Sequence, residues 1–191
     1  LSTRKLQILQ TTSTCLQQST DNKITTAILA KKVGVSEAGL YRYFKSKNAI
    51  FAELMRFLDE RLIAQLQQIL ATKSADPQAT LYQFHETILL FFTHNPGLSK
   101  LFLGHMSALE LIEKSQLLKM RLQQMLTQYI KECVVNKSLP KNSLSLPTHL
   151  IYVIYGAISC YQLTKYQMNL TDDLRQQWVA IKILLKADAT D

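Results

Sequence analysis

Between residues 25 and 47 the spacing of apolar and small residues admits few folds. Leu29 and Val33 lie four apart, as do Leu40 and Phe44, so each pair stands on one face of a short helix. Gly34 between them can take the positive φ that a tight turn between crossed helices requires. Ala30 is small where two backbones would approach, and Val35 is apolar beneath the turn. Thr25 or Thr26 can cap the first of the two helices, Ser36 the second, and Ser46 a long helix that follows, because a hydroxyl accepts from the free amides of a first turn. These constraints together specify a helix-turn-helix. Its two helices pack on a preceding one at residues 4–18, whose apolar positions include Leu6, Leu9 and Leu16.

The rest of the chain carries the same signature of helices with few breakers. Only five Gly and four Pro occur in 191 residues, and the 47% hydrophobic content suffices for a small head joined to a larger body. The pattern predicts a turn at 19–23, short helices at 25–33 and 36–44, and a long helix from 46 whose apolar positions run from Ile50 to Leu70 at close to helical period. A loop at 72–77 follows, then helices at roughly 78–94, 98–110 and 114–136. Residues 137–147 read as the longest irregular stretch, and helices at about 148–168 and 172–187 finish the chain. The expected fold is all-α with about nine helices: a DNA-binding head at 1–47 and a helical dimerisation and partner-binding body at 48–191.

Charge is unevenly placed. Residues 1–50 hold eight Lys/Arg against two acidic residues, whereas residues 51–191 hold fourteen against twelve. A basic head of this kind suits a polyanion. The third helix leaves Ser36, Glu37, Gly39, Arg42 and Tyr43 pointing outward, in the geometry of a recognition helix entering a major groove. Arg42 could pair with guanine or hold a phosphate, and Ser36 and Ala38 could read by hydrogen bond and thymine-methyl contact. Gly39 permits close approach. Tyr41 and Tyr43 can donate to phosphates. Lys47 at the start of the long helix, and Thr25 and Thr26 at the start of the second, sit beside free amides that favour anions. The alternative for Tyr41, Tyr43 and Lys47 is a plain solvated surface.

Other chemistries find little support. Cys15, Cys133 and Cys160 are far apart, which suits buried thiols in a reducing cytoplasm. The sequence opens on Leu1 rather than Met, so residues are expected to precede it, and no signal-peptide pattern is present. The longest unbroken apolar run, 150–158, is short for a bilayer span. His85, His94, His105 and His149 lack the one-turn spacing of a metal site, and His105 reads as a packing residue. No nucleophile–base set or phosphate loop points to an enzyme, and no cofactor is expected. Lys114, Lys119 and Arg121 read as a solvated flank rather than a membrane face. Tyr82, Phe84, Phe91, Phe92, Phe102 and Met106 are either core or the lining of a small-molecule pocket.

On the residues from Ile24 to Lys47, above all Gly-Val-Ser-Glu-Ala-Gly-Leu-Tyr-Arg-Tyr-Phe at 34–44 with Ser46 and Lys47, the head resembles the TetR family of bacterial regulators. The resemblance implies a homodimer in which the last two long helices, here 148–168 and 172–187, form the intersubunit bundle. Within that family the chain is similar to the nucleoid occlusion factors, on Asn95-Pro-Gly-Leu-Ser-Lys-Leu-Phe-Leu-Gly-His at 95–105, on Thr171-Asp-Asp-Leu with Trp178, and on residues 63–70. That similarity implies chromosomal binding sites and a groove for the C-terminal tail of the tubulin-like division protein FtsZ. Phe57 and Asn95 fit the pattern of the groove, while Gln65 and His94 stand where those relatives carry arginines, the cations an acidic tail would pair with.

Two functional readings follow. One is a cytoplasmic, nucleoid-associated protein that binds double-stranded DNA as a dimer and acts in division control. The other is a TetR-type repressor released by a small-molecule effector. A pure protein-interaction module is a third, more distant reading.

Overall fold

The computed structural model describes residues 2–19, 24–72 and 76–186, so parts of the turn at 19–23, the loop at 72–77 and the end of the last helix lie outside the described residues. Nine α-helices and no strand occur among the described residues: α1 Thr3–Gln18, α2 Thr26–Val33, α3 Glu37–Tyr41, α4 Lys47–Ala71, α5 Pro77–His94, α6 Ser99–Phe102, α7 Leu109–Val135, α8 Leu146–Leu163 and α9 Leu170–Lys186. They fall into two compact units, one of Leu1–Glu60 with Asn95–Gln116, the other of Arg61–His94 with Leu117–Asp191.

The first unit holds the helix-turn-helix. α1 buries Ile8, Leu9, Thr12, Cys15 and Leu16, a stripe at helical spacing, while Leu6 stays 45% exposed. Thr12 is buried at little cost because its Oγ1 donates to Ile8 O at 2.7 Å. α2 packs on α1, and Leu29, Ala30 and Val33 of α2, Leu40 of α3, Phe44, and Ile50, Phe51 and Leu54 of α4 are all buried in this unit.

The segment 95–116 belongs to the same unit. A short 3-10 turn, Pro96–Leu98, packs on α1. Gly97 is obligatory there, since a Cβ would come within 2.0 Å of the Ser13 carbonyl oxygen. The Lys100 Nζ donates to the Ser19 carbonyl just past the end of α1, a favourable place for a cation, and burial pushes its amine below the ordinary lysine range.

Here the expected helix at 98–110 is cut short. α6 ends after Phe102 because Gly104 takes φ +76° and the chain reverses, with His105 N–H donating to Lys100 O and Gly104 N–H to Leu101 O. His105 is therefore exposed rather than packed. α7 starts at Leu109, earlier than expected, with Glu110 in its first turn paired to Lys114 at 2.9 Å.

In the second unit α5 packs on α8 and α9. Asp76 caps α5 by accepting from the Gln78 and Ala79 amides at 2.9 and 3.2 Å, and Pro77 occupies the first position, where its missing N–H is harmless. Phe84, His85, Ile88 and Phe92 are fully buried. The His85 Nδ1 lies 2.8 Å from Leu81 O and its Nε2 3.3 Å from Leu150 O. Trp178 of α9 closes on both Tyr82 and His85, with ring centroids 5.2 and 5.5 Å apart. Lys119 sits 4.0 Å from the centroid of Tyr155, a cation–π contact that covers this lysine's flank of α7.

The irregular stretch at 137–147 is shorter than expected. A 3-10 helix fills Lys141–Ser145, and α8 begins at Leu146 with Pro147 in its first turn. α7 and α8 both close on left-handed residues that are not glycine, Lys137 (φ 60°) and Lys165 (φ 51°) with Tyr166 (φ 65°), so α8 stops at Leu163 and not near 168. Cys15 and Cys133 are buried, but Cys160 is exposed on α8, contrary to the expectation of buried thiols. The segment Lys141–Leu163 is long and apolar enough to cross a membrane by length and composition alone, and its buried side chains, among them Leu150, Ile154 and Ile158, are core of this unit.

Candidate nucleic-acid interface

The interface is built from three helix starts and one short helix. At α2, Thr25 is the cap: its Oγ1 accepts from the Ile28 amide at 3.2 Å. At α3, Ser36 Oγ accepts from the Gly39 amide at 3.0 Å. At α4, Ser46 Oγ accepts from the Ala49 amide at 3.1 Å. Each cap leaves other first-turn amides free to meet an anion. Gly34 joins α2 to α3 in the left-handed conformation, φ 76° and ψ 40°. Its N–H donates to Lys31 O and that of Val35 to Ala30 O, which ends α2 within one residue and sets the crossing of the two helices.

This packing buries Leu40 and turns the rest of α3 outward. Ser36, Glu37, Ala38, Tyr41 and Arg42 are exposed, and Gly39 and Tyr43 are half-buried. α3 is shorter than the expected 36–44, because the amides of Tyr43 and Phe44 both turn back to Leu40 O. Arg42 thus sits just past the helix rather than inside it. Lys47 is the first residue of α4, half-buried, with its Nζ 5.8 Å from the centroid of Phe51. Lys31, Lys32 and Lys45 are exposed on the same unit, and Lys32 donates to Gln18 Oε1 at 2.9 Å.

Two features of this region had no sequence signal of their own. Thr26 is the first residue of α2, not its cap, and its Oγ1 donates to Glu37 Oε2 at 2.7 Å. Lys5 of α1 lies 5.7 Å from the centroid of Phe44, adding a cation from a helix that the motif does not include. Both depend on pairs far apart in sequence, which no helical period relates.

Of the residues expected to form a partner groove, Phe57 on α4 and Asn95 before the 3-10 turn are half-buried in the first unit. Gln65 on α4 and His94 at the end of α5 are exposed in the second. The His94 Nδ1 lies 2.7 Å from Leu90 O, one turn back on its own helix.

Comparison with known proteins agrees with this geometry. A family model described as bacterial regulatory proteins, tetR family, matches residues 8–54, the stretch that carries α1 to the start of α4. The nucleoid occlusion factor SlmA of Shewanella halifaxensis is 30% identical over 188 residues, covering 94% of this chain and 93% of that protein. Among solved structures, the fatty acid degradation regulator FadR of Bacillus halodurans superposes with a TM-score of 0.82 at 13% identity, covering 100% of this chain and 99% of that one. A TetR transcription regulator from Haloarcula marismortui gives a TM-score of 0.77 at 18% identity, with 98% of both chains covered. The two structures share the fold, and the similarity to SlmA extends through both units. The chain belongs to the TetR family of bacterial DNA-binding regulators.

Proposed function

We propose that this protein is a nucleoid occlusion factor, which binds specific chromosomal sites as a homodimer and couples that binding to control of cell division. The observation that carries the reading is the reach of its similarity to SlmA, 94% of the chain and not the head alone. In this reading α3 lies in the major groove, and Ser36, Glu37, Ala38, Gly39 and Arg42 face base edges. Thr25, Tyr41, Tyr43 and Lys47 hold the backbone, and Thr26 stands beside them as the first residue of α2.

The dimer would form through α8 and α9, where Tyr152 and Leu163 of α8 and Val179 and Ile183 of α9 are large, apolar and exposed, a surface that favours cover by another chain. Phe57, Gln65, His94 and Asn95 are the residues this reading assigns to partner binding. With no arginine at 65 or 94, an acidic FtsZ tail would be held chiefly by apolar and hydrogen-bonded contacts. The cytoplasmic nucleoid is the place such a function requires. No catalytic step enters this reading.

The effector-released repressor is the less favoured reading. Of the residues read as either core or pocket lining, Phe84, Phe92 and Phe102 are fully buried, which favours core. The test is binding of an FtsZ C-terminal tail peptide with and without site-containing DNA. Tail binding strengthened by DNA supports division control. Absence of tail binding, together with a single genomic site beside the protein's own gene, would sink it.

A further inference from the structure

Glu37 is the only acidic residue between 24 and 50, a stretch that holds Lys31, Lys32, Arg42, Lys45 and Lys47. It is exposed in the first turn of α3, the part of a recognition helix that meets base edges. An anion placed there costs affinity for any DNA, because phosphates repel it and contact strips its water. The structure holds it in place. Thr26 Oγ1, from the start of α2, donates to Glu37 Oε2 at 2.7 Å, a charge-assisted bond that restricts the carboxylate to one setting and ties α2 to α3.

A carboxylate is an acceptor only, with lone-pair capacity well beyond one hydrogen bond. In the major groove its partner is an amino group, that of cytosine N4 above all. It is repelled by guanine O6 and N7 and by thymine O4. Resting on the DNA-binding reading above, we propose that Glu37 is a specificity-determining residue which accepts from a cytosine amino group in each half-site. Thr26 is its positioning residue rather than a phosphate anchor. The repulsive side of the interaction discriminates as much as the attractive one, since wrong bases and non-specific backbone are penalised together. Affinity is lowered everywhere except where the cytosine is present.

The experiment is selection of binding sites from a random duplex pool by the full chain, its E37Q, T26V and T26S variants, and R42A as a control. Affinities for the selected site and for a scrambled duplex are then read at two salt concentrations. Glu37 and Thr26 are surface residues, and circular dichroism checks that each variant folds. E37Q should bind the scrambled duplex more tightly. It should lose preference at one base pair per half-site, with the specific-to-scrambled ratio falling about tenfold. T26V should relax the same base pair to a smaller degree, and T26S should restore it. Selection of an unchanged motif by E37Q with an unchanged ratio overturns the proposal. So does a change that is uniform over all positions, which would make Glu37 a phosphate repellent only. A wild-type chain that enriches no motif overturns the DNA-binding reading, and this inference with it.

Discussion

Arg42 and Lys47 present their charges differently. Arg42 is exposed one residue past α3, while Lys47 lies over Phe51 at the start of α4, where in the proposed reading the amides and the ammonium would act on the same phosphate. Arg42→Ala and Lys47→Ala should each weaken binding to the selected site and each lower the slope of log affinity against log salt by about one. Fluorescence anisotropy over a salt series reads this directly. Unchanged slopes for both variants would remove these residues from the interface.

His85 carries a different prediction at the same scale. Burial holds its ring well below its ordinary value of 6.5, while the nearby Leu81 and Leu150 carbonyls pull the other way. The unfolded chain therefore takes up a proton near pH 6.5 while the folded chain stays neutral to lower pH. Stability is full above that value and falls as pH drops below it, by at most about 1.4 kcal/mol per pH unit. Urea midpoints measured from pH 7.5 downward should decline for the native chain, and His85→Gln should flatten the decline.

At the scale of elements, the segment after α5 is more tightly tied to α1 than its position suggests. Its 3-10 turn presses Gly97 against the Ser13 carbonyl, and Lys100 reaches the end of α1. Gly97→Ala has no flexible neighbour to displace, because the obstructing atoms are backbone. It should destabilise the first unit by about 1–3 kcal/mol. Hydrogen exchange should show α1 amides losing protection before those of α5, whereas uniform loss would mean the contact is not local to α1.

For the whole molecule, the exposed apolar residues on α8 and α9 are the ones that matter. Val179→Asp with Ile183→Asp places two charges on the surface proposed to pair. Sedimentation should then show a monomer where the native chain sediments as a dimer. Binding to a palindromic site should fall much more than binding to a half-site, since the two heads would no longer be held about 34–36 Å apart to meet successive major grooves. A variant that stays dimeric would place the interface elsewhere.

The head was legible in the sequence because its determinants are local. Thr25, Ser36 and Ser46 cap helices that begin within one residue of them, and Gly34 ends α2 through bonds reaching back three and five residues. The apolar pairs Leu29/Val33 and Leu40/Phe44 are fixed by helical period alone. What lay beyond reach depends on pairs distant in the chain or on conformations that the residue type does not announce. Lys165 adopts the left-handed close that glycine would have signalled, so the end of α8 could not be read, whereas α7 ends within one residue of its expected close. Gly104 did carry that signal, yet the helical run around it obscured the stop. The attachment of 95–116 to α1 and the bond from Thr26 to Glu37 arise only when packing brings separate helices together. Local hydrogen bonding and periodicity therefore determined the motif and the all-α class, while tertiary packing decided which side chains of that motif remain free for DNA and which are committed to one another.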